Sequence, residues 1–117
     1  KPLVQTADRL FNLIEKGAYA QVTASSVTGT LGIQLKEYSL KMIENNLIHV
    51  IASDAHSAVA RPFALKKAYE IITSELGKEY TDLLKDNAQK ILNGRELTSQ
   101  PPNEIASLRA KKKRFFQ

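Results

Sequence analysis

Two short apolar stretches constrain this chain more than any other feature: Ala18-Tyr-Ala-Gln-Val-Thr-Ala24 and residues 47–53, Leu-Ile-His-Val-Ile-Ala-Ser. Each has the length and β-branched content of a strand. The second lacks the polar alternation of a strand with one wet face, so both its faces should be covered, as in a parallel sheet. A segment of helical periodicity separates the two. Strands joined through helices form βα units, and βα units build parallel sheets. Two strands make neither a barrel nor a stable open sheet by themselves. The expectation is an α/β chain that forms part of a larger fold.

The helical segments surround these strands. From Thr6 to Lys16, Leu10, Phe11, Leu13 and Ile14 form one stripe, and Gly17 sits where a helix end needs positive φ. Ser25, Ser26, Gly29 and Gly32 indicate a polar loop with room for one helical turn. Ile33–Asn46 is helical, with Leu35, Tyr38, Met42 and Ile43 on one face and two asparagines as its stop. Pro62 suits the first turn of a third helix, which carries Leu65, Ala68, Tyr69, Ile72 and Leu76 inward and ends at Gly77. The fourth runs from Lys78 to Leu92 with Tyr80, Leu83, Leu84, Ala88 and Ile91 as its stripe. Residues 1–97 are thus read as the folded unit, and 98–117, with Pro101-Pro102, as a linker and basic tail.

Composition narrows the function classes. Cysteine is absent, which excludes disulfides and thiolate metal sites and fits a reducing compartment; the cytoplasm is the expected location. No apolar run reaches the roughly 18 residues of a membrane span. The start of the chain shows no signal peptide, and without an initiator Met the chain reads as a piece of something longer. The net charge of +5 is uneven. Arg109, Lys111, Lys112, Lys113 and Arg114 carry the excess, while the 12 acidic residues all precede position 109 and balance the remaining basic ones. The body is formally neutral, so no nucleic-acid partner is expected of it. The tail "RAKKKRFF" is open to two readings: a solvated end, or a contact with an anionic membrane surface.

The chemistry concentrates in "HVIASDAHS", residues 49–57. Side chains two apart along an extended strand point the same way, so Asp54 and His56 would emerge together at the strand's C-terminal end. Parallel-sheet enzymes place their chemistry at that end. A carboxylate and an imidazole suit a hard or borderline divalent metal. The alternative is structural: Asp54 as a cap of the next helix and His56 in a solvated loop. Arg61, just before Pro62, could hold a phosphate through a bidentate contact, or could be an ordinary surface arginine. His49 opens the second strand at the opposite end and is read as structural. Ser25 and Ser26 end the first strand on the same side as Asp54 and are open to lining a pocket or simply forming a polar βα loop. With two histidines in the chain and one good ligand pair, the site falls short of the three or four ligands a tight metal site wants.

"LIEKGAYAQVTASSVTG", "LIHVIASDAHSAVARP" and "LLKDNAQKILNG" together resemble the manganese-dependent bacterial tyrosine-protein phosphatases of capsule and exopolysaccharide operons, the CpsB/CapC type of the polymerase and histidinol phosphatase (PHP) superfamily. The resemblance runs from about Leu10 to Leu97. It implies the C-terminal βα units of a distorted (β/α)7 barrel, here with two parallel strands and about four helices. It implies a cluster of divalent metal ions, manganese in this family, that activates a hydroxide for attack on phosphotyrosine. Asp54 and His56 match the family's late metal ligands, and Arg61 matches an arginine placed to hold substrate phosphate. The implied partners are a phosphotyrosine protein, such as a bacterial tyrosine kinase, and the N-terminal part of the same domain. The family's early His-x-His pair and metal-binding glutamates do not occur in this chain, so alone it is expected to be inactive. Two alternatives remain: another PHP-type phosphoesterase, such as a histidinol-phosphate phosphatase, or a non-catalytic interaction module.

Overall fold

The computed structural model describes residues 3–53, 60–103 and 105, with side chains described from Ala7 and, in the second stretch, from Pro62. The elements run α1 (Leu3–Glu15), β1 (Gln21–Thr23), α2 (Ala24–Thr28), α3 (Ile33–Glu44), β2 (Val50–Ala52), α4 (Ala60–Glu75) and α5 (Lys78–Leu92). β1 and β2 pair in parallel, with Gln21 opposite Val50, Val22 opposite Ile51 and Thr23 opposite Ala52. The expected mixed α/β order and parallel pairing are present. The described residues hold five helices where about four were expected.

The additional helix has a local cause. Thr23 is both the last residue of β1 and the N-cap of α2, its Oγ1 accepting from the Ser26 amide at 3.3 Å. An extended residue that caps the following turn ends the strand at once. Ser26 is buried and its hydroxyl lies 3.0 Å from Thr23 Oγ1, and the one helical turn for which this stretch had room is present as α2. Gly29 closes that helix at φ 90°, in the left-handed region. At the end of α3, the Asn45 side-chain amide donates to the Lys41 carbonyl at 2.8 Å, and Asn46 takes φ 62°. The two asparagines stop the helix as expected. Pro62 occupies the third position of α4, where its missing N–H would have had no helical partner.

Both strands are shorter than the sequence suggests because polar side chains take over at their N-terminal ends. The His49 amide donates to the Ala20 carbonyl at 2.8 Å, which continues the pairing one step beyond the strands. The return bond goes to a side chain: the Ala20 amide donates to His49 Nδ1 at 3.0 Å. The His49 carbonyl in turn accepts from Asn87 Nδ2 on α5 at 2.9 Å. Asn87 is fully buried, and both of its amide protons and its oxygen are engaged here. Its amide also donates to the Thr98 carbonyl at 2.9 Å, and its Oδ1 accepts from the Thr98 amide at 2.8 Å.

Residues past α5 therefore return to the body. Lys90 pairs with Asp86 at 3.0 Å and bonds Thr98 Oγ1. The Asn103 amide donates to the Asn45 carbonyl at 2.9 Å, and Asn46 Nδ2 donates to the Pro101 carbonyl at 3.2 Å. Ile105 is buried in the core. This core joins Ile43, Ile51, Ile72 and Leu84 from α3, β2, α4 and α5, and Leu47 from the connection between α3 and β2.

Some stripe positions differ from expectation. Ala68 and Ile72 of α4 are buried as expected, but Ile91 of α5 is 52% exposed. The buried face of α5 is Thr81, Leu84 and Asn87 instead, turned toward β2 and the returning segment. Leu13 is likewise exposed, and Ala7 and Ile14 carry the buried face of α1. Replacing Asn87 with Ala strips the His49 carbonyl and both Thr98 backbone groups of their partners. It should cost about 2 kcal/mol of stability, read as a shift in the denaturant midpoint at unchanged slope. A loss under about 0.5 kcal/mol would show that Asn87 does not hold the strand entrance.

Candidate functional site

The strand register defines a rim. Thr23 and Ala52 are the last paired residues, and both chains leave the sheet on the same side. Ser25 lies two positions after Thr23, and Asp54 two positions after Ala52. The segment between β2 and α4 therefore starts at the carboxyl end of the sheet, where ligands of open α/β folds bind. Asp54 and His56 lie outside the described residues. So does the side chain of Arg61, whose backbone belongs to the first turn of α4. Among the described residues no group of three or more His, Asp or Glu side chains could hold a metal ion. An Asp and a His have the right donor chemistry for a divalent ion, but they need further ligands from other segments.

The described part of the rim contains a pocket of about 270 Å³. Ser25, Thr28 and Thr30 form one wall, from α2 and the turn after it. Phe63, Ala64 and Lys67, from the first two turns of α4, form the other. Ser25, weighed both as a pocket residue and as part of a plain loop, lines this pocket. Its neighbour Ser26 turns into the core. Phe63 was not singled out by sequence reasoning. An isolated aromatic near a helix start carries no periodic signal, and its place beside Arg61 is the only hint.

A larger, open groove of about 620 Å³ lies between α4 and α5, among them Tyr69, Thr73 and Lys85. Lys85 Nζ sits 5.2 Å from the centre of the Tyr69 ring. This groove is on the opposite flank of α4 from the rim pocket. It gathers no set of groups with evident chemistry.

His49 belongs to the other end of the sheet and is structural, as its position suggests. It is 3% exposed, and the Tyr19 ring meets its imidazole edge to face at 5.0 Å. Because Nδ1 accepts the Ala20 amide proton, the ring's own proton resides on Nε2. Nε2 has no partner among the described residues. His49 lines a cavity of about 10 Å³, which has space for about one water molecule. Burial lowers the pKa of the imidazole from its usual 6.5, and the Ala20 backbone offsets part of that.

The consequence for stability has a definite sign. The unfolded chain takes up a proton at His49 near pH 6.5, and the folded chain does so only at lower pH. The contribution of His49 is therefore complete above pH 6.5 and is lost as pH falls from there through the folded-state value. His49→Asn places a non-titrating acceptor opposite Ala20. Its denaturant midpoint should fall less than that of the unaltered protein between pH 7.5 and pH 5. Equal acid sensitivity of the two would contradict a neutral, buried His49.

The described residues define an α/β unit built on a parallel strand pair. The family model described as capsular polysaccharide synthesis, CpsB/CapC, matches residues 1–93, and the chain belongs to this family. Tyrosine-protein phosphatase YwqE of Bacillus subtilis (strain 168) is 41% identical over 96 residues, which cover 82% of this chain and 38% of the relative. Tyrosine-protein phosphatase CpsB of Streptococcus pneumoniae is 33% identical over 90 residues, covering 72% of this chain and 37% of the relative. A solved structure from the crystallographic description of B. subtilis YwqE and S. pneumoniae CpsB, named there as unique metal-dependent tyrosine phosphatases, superposes with a TM-score of 0.76. It is 40% identical, and the match covers 84% of this chain and 40% of that one. The resemblance read from the three sequence strings is borne out. The chain spans about two fifths of the length of these relatives.

Proposed function

We propose that the protein to which this chain belongs is a metal-dependent tyrosine-protein phosphatase acting in the control of capsular or exopolysaccharide synthesis. The supporting observation is a 41% identity to a tyrosine-protein phosphatase across 82% of the chain, in a fold whose register starts the Asp54–Arg61 segment at the sheet's carboxyl rim. In this reading residues 1–97 form the C-terminal βα units of a distorted (β/α)7 PHP-type barrel. Beyond Ile105, which packs in the core, the basic residues 109–114 carry the charge to meet an anionic membrane surface. The substrate is a phosphotyrosine protein, with a bacterial tyrosine kinase as the candidate, and the reaction takes place in the cytoplasm.

The residues divide the work by their chemistry. Asp54 supplies a carboxylate oxygen and His56 an imidazole nitrogen to a divalent ion, manganese in this reading. Such an ion, when bound, lowers the pKa of water and neutralises phosphoryl oxygens. Arg61 offers a planar fork of N–H donors to two phosphate oxygens, which orients the phosphorus for in-line displacement. The positive dipole end of α4, which begins at Ala60, favours an anion held near Arg61. This chain has no cysteine, so no cysteinyl-phosphate forms on it.

In the full-length protein with manganese, Asp54→Ala and His56→Ala should each lower kcat/KM for a phosphotyrosyl peptide by about 100-fold or more while leaving the fold intact by circular dichroism. Arg61→Lys keeps the charge but loses the fork, and KM should rise about tenfold. Full activity in both alanine variants would refute the metal-ligand assignment. It would leave this part of the chain as an interaction module.

A further inference from the structure

The rim pocket brings together three kinds of group: an aromatic ring, a lysine and a set of hydroxyls. Phe63 is 72% exposed, on the first turn of α4, two residues after Arg61. Single exposed apolar residues are ordinary. Phe63 differs because it is part of one wall of a concave site and stands two residues along α4 from the proposed phosphate-binding arginine. Lys67 follows one turn later, on the same helix face. Among the described residues the ion pairs are Lys41–Glu44, Lys78–Asp82 and Lys90–Asp86, and Lys67 joins none of them.

The facing wall is made of hydroxyls whose directions can be assigned. Thr28 Oγ1 donates its proton to the Ser25 carbonyl at 3.3 Å. A threonine hydroxyl has only one proton, so the 3.0 Å contact between Thr28 and Thr30 is donated by Thr30. The Thr30 oxygen keeps its lone pairs as acceptors for an N–H group of a peptide.

Size decides what fits. Pockets for cofactors and drug-sized ligands run from about 300 to 1,000 Å³. At about 270 Å³ this one has space for a single side chain. We propose that it is the aryl subsite: Phe63 packs against the ring of the phosphotyrosine whose phosphate lies at Arg61, and Lys67 meets an acidic group of the same peptide. Aromatic rings meet favourably edge to face or offset, and a largely solvated ring at the rim has the freedom to adopt either. The subsite rests on the phosphatase reading and adds to it the residue that recognises the ring.

The test uses the full-length, manganese-loaded protein and its F63A and F63Y variants. Two constants are measured: KM for a phosphotyrosyl peptide and the competitive inhibition constant of orthophosphate, which carries no ring. Phe63→Ala should raise KM about three- to tenfold, and Phe63→Tyr should restore it to within about twofold. The orthophosphate constant should stay within about twofold in all three proteins. Because position 63 is exposed, both variants should match the unaltered protein in thermal midpoint. Active enzyme with an unchanged KM in F63A overturns the subsite alone. An equal rise in the orthophosphate constant overturns it too, by reducing Phe63 to a support of the phosphate site. A higher kcat/KM for glycerol 2-phosphate than for the peptide would assign the pocket to an aliphatic alcohol and overturn the aryl assignment. An unaltered protein that hydrolyses no aryl phosphate removes the phosphatase reading, and the subsite with it.

Discussion

The structure depends on one contact, the junction where His49 substitutes for a strand residue. Three residue pairs of parallel ladder are too few to fix two strands in register. The His49 backbone adds one bond to Ala20, its imidazole takes the next, and Asn87 pins its carbonyl to α5. An error of one residue in register would move every side chain of a strand to the other face. The imidazole and the buried amide remove that freedom because each has a single satisfying arrangement. The same amide holds Thr98, so the chain beyond α5 is tied to the entrance of β2.

That junction sits at the opposite end of the sheet from the chemistry, and the separation has a physical logic. Rigid polar contacts at the amino end fix where each strand begins. Fixed starts and a short ladder then fix where each strand ends, at Thr23 and Ala52. Ser25 follows Thr23 within two positions and inherits that placement in the rim pocket. The apolar core of Ile43, Leu47, Ile51, Ile72 and Leu84 lies between, coupling the two ends through packed side chains rather than through any direct contact.

What was legible in the sequence was whatever depended on periodicity or on a single residue's chemistry. The parallel pair followed from two unalternating apolar runs, and α5 came out with its boundaries unchanged because Gly77 and Gly94 bracket it. The missing pieces were tertiary. Nothing local says that Thr23 will cap a five-residue helix, since a Thr-Ala-Ser-Ser sequence serves as loop or cap equally well. Asn87 lies three residues after Leu84, on the inward face of α5, and an amide at such a spacing was the available signal. Ile91 was assigned to the core by its spacing, yet the returning segment satisfies that face through Asn87 instead. At the site, Asp54, His56 and Arg61 were recognisable by donor chemistry and by resemblance. Phe63 was not, because its proposed role comes from the pocket it lines and not from any pattern.

In the proposed function, Asp54, His56 and Arg61 of the segment between β2 and α4 supply one carboxylate, one imidazole and one guanidinium, and other segments of the parent protein complete a metal centre. The most direct measurement is anomalous diffraction at the manganese edge from crystals of the full-length protein. The account predicts a metal peak within bonding distance of both the Asp54 carboxylate and the His56 imidazole, on the side of the sheet where Thr23 and Ala52 end. A fully occupied metal centre that neither side chain touches would contradict it.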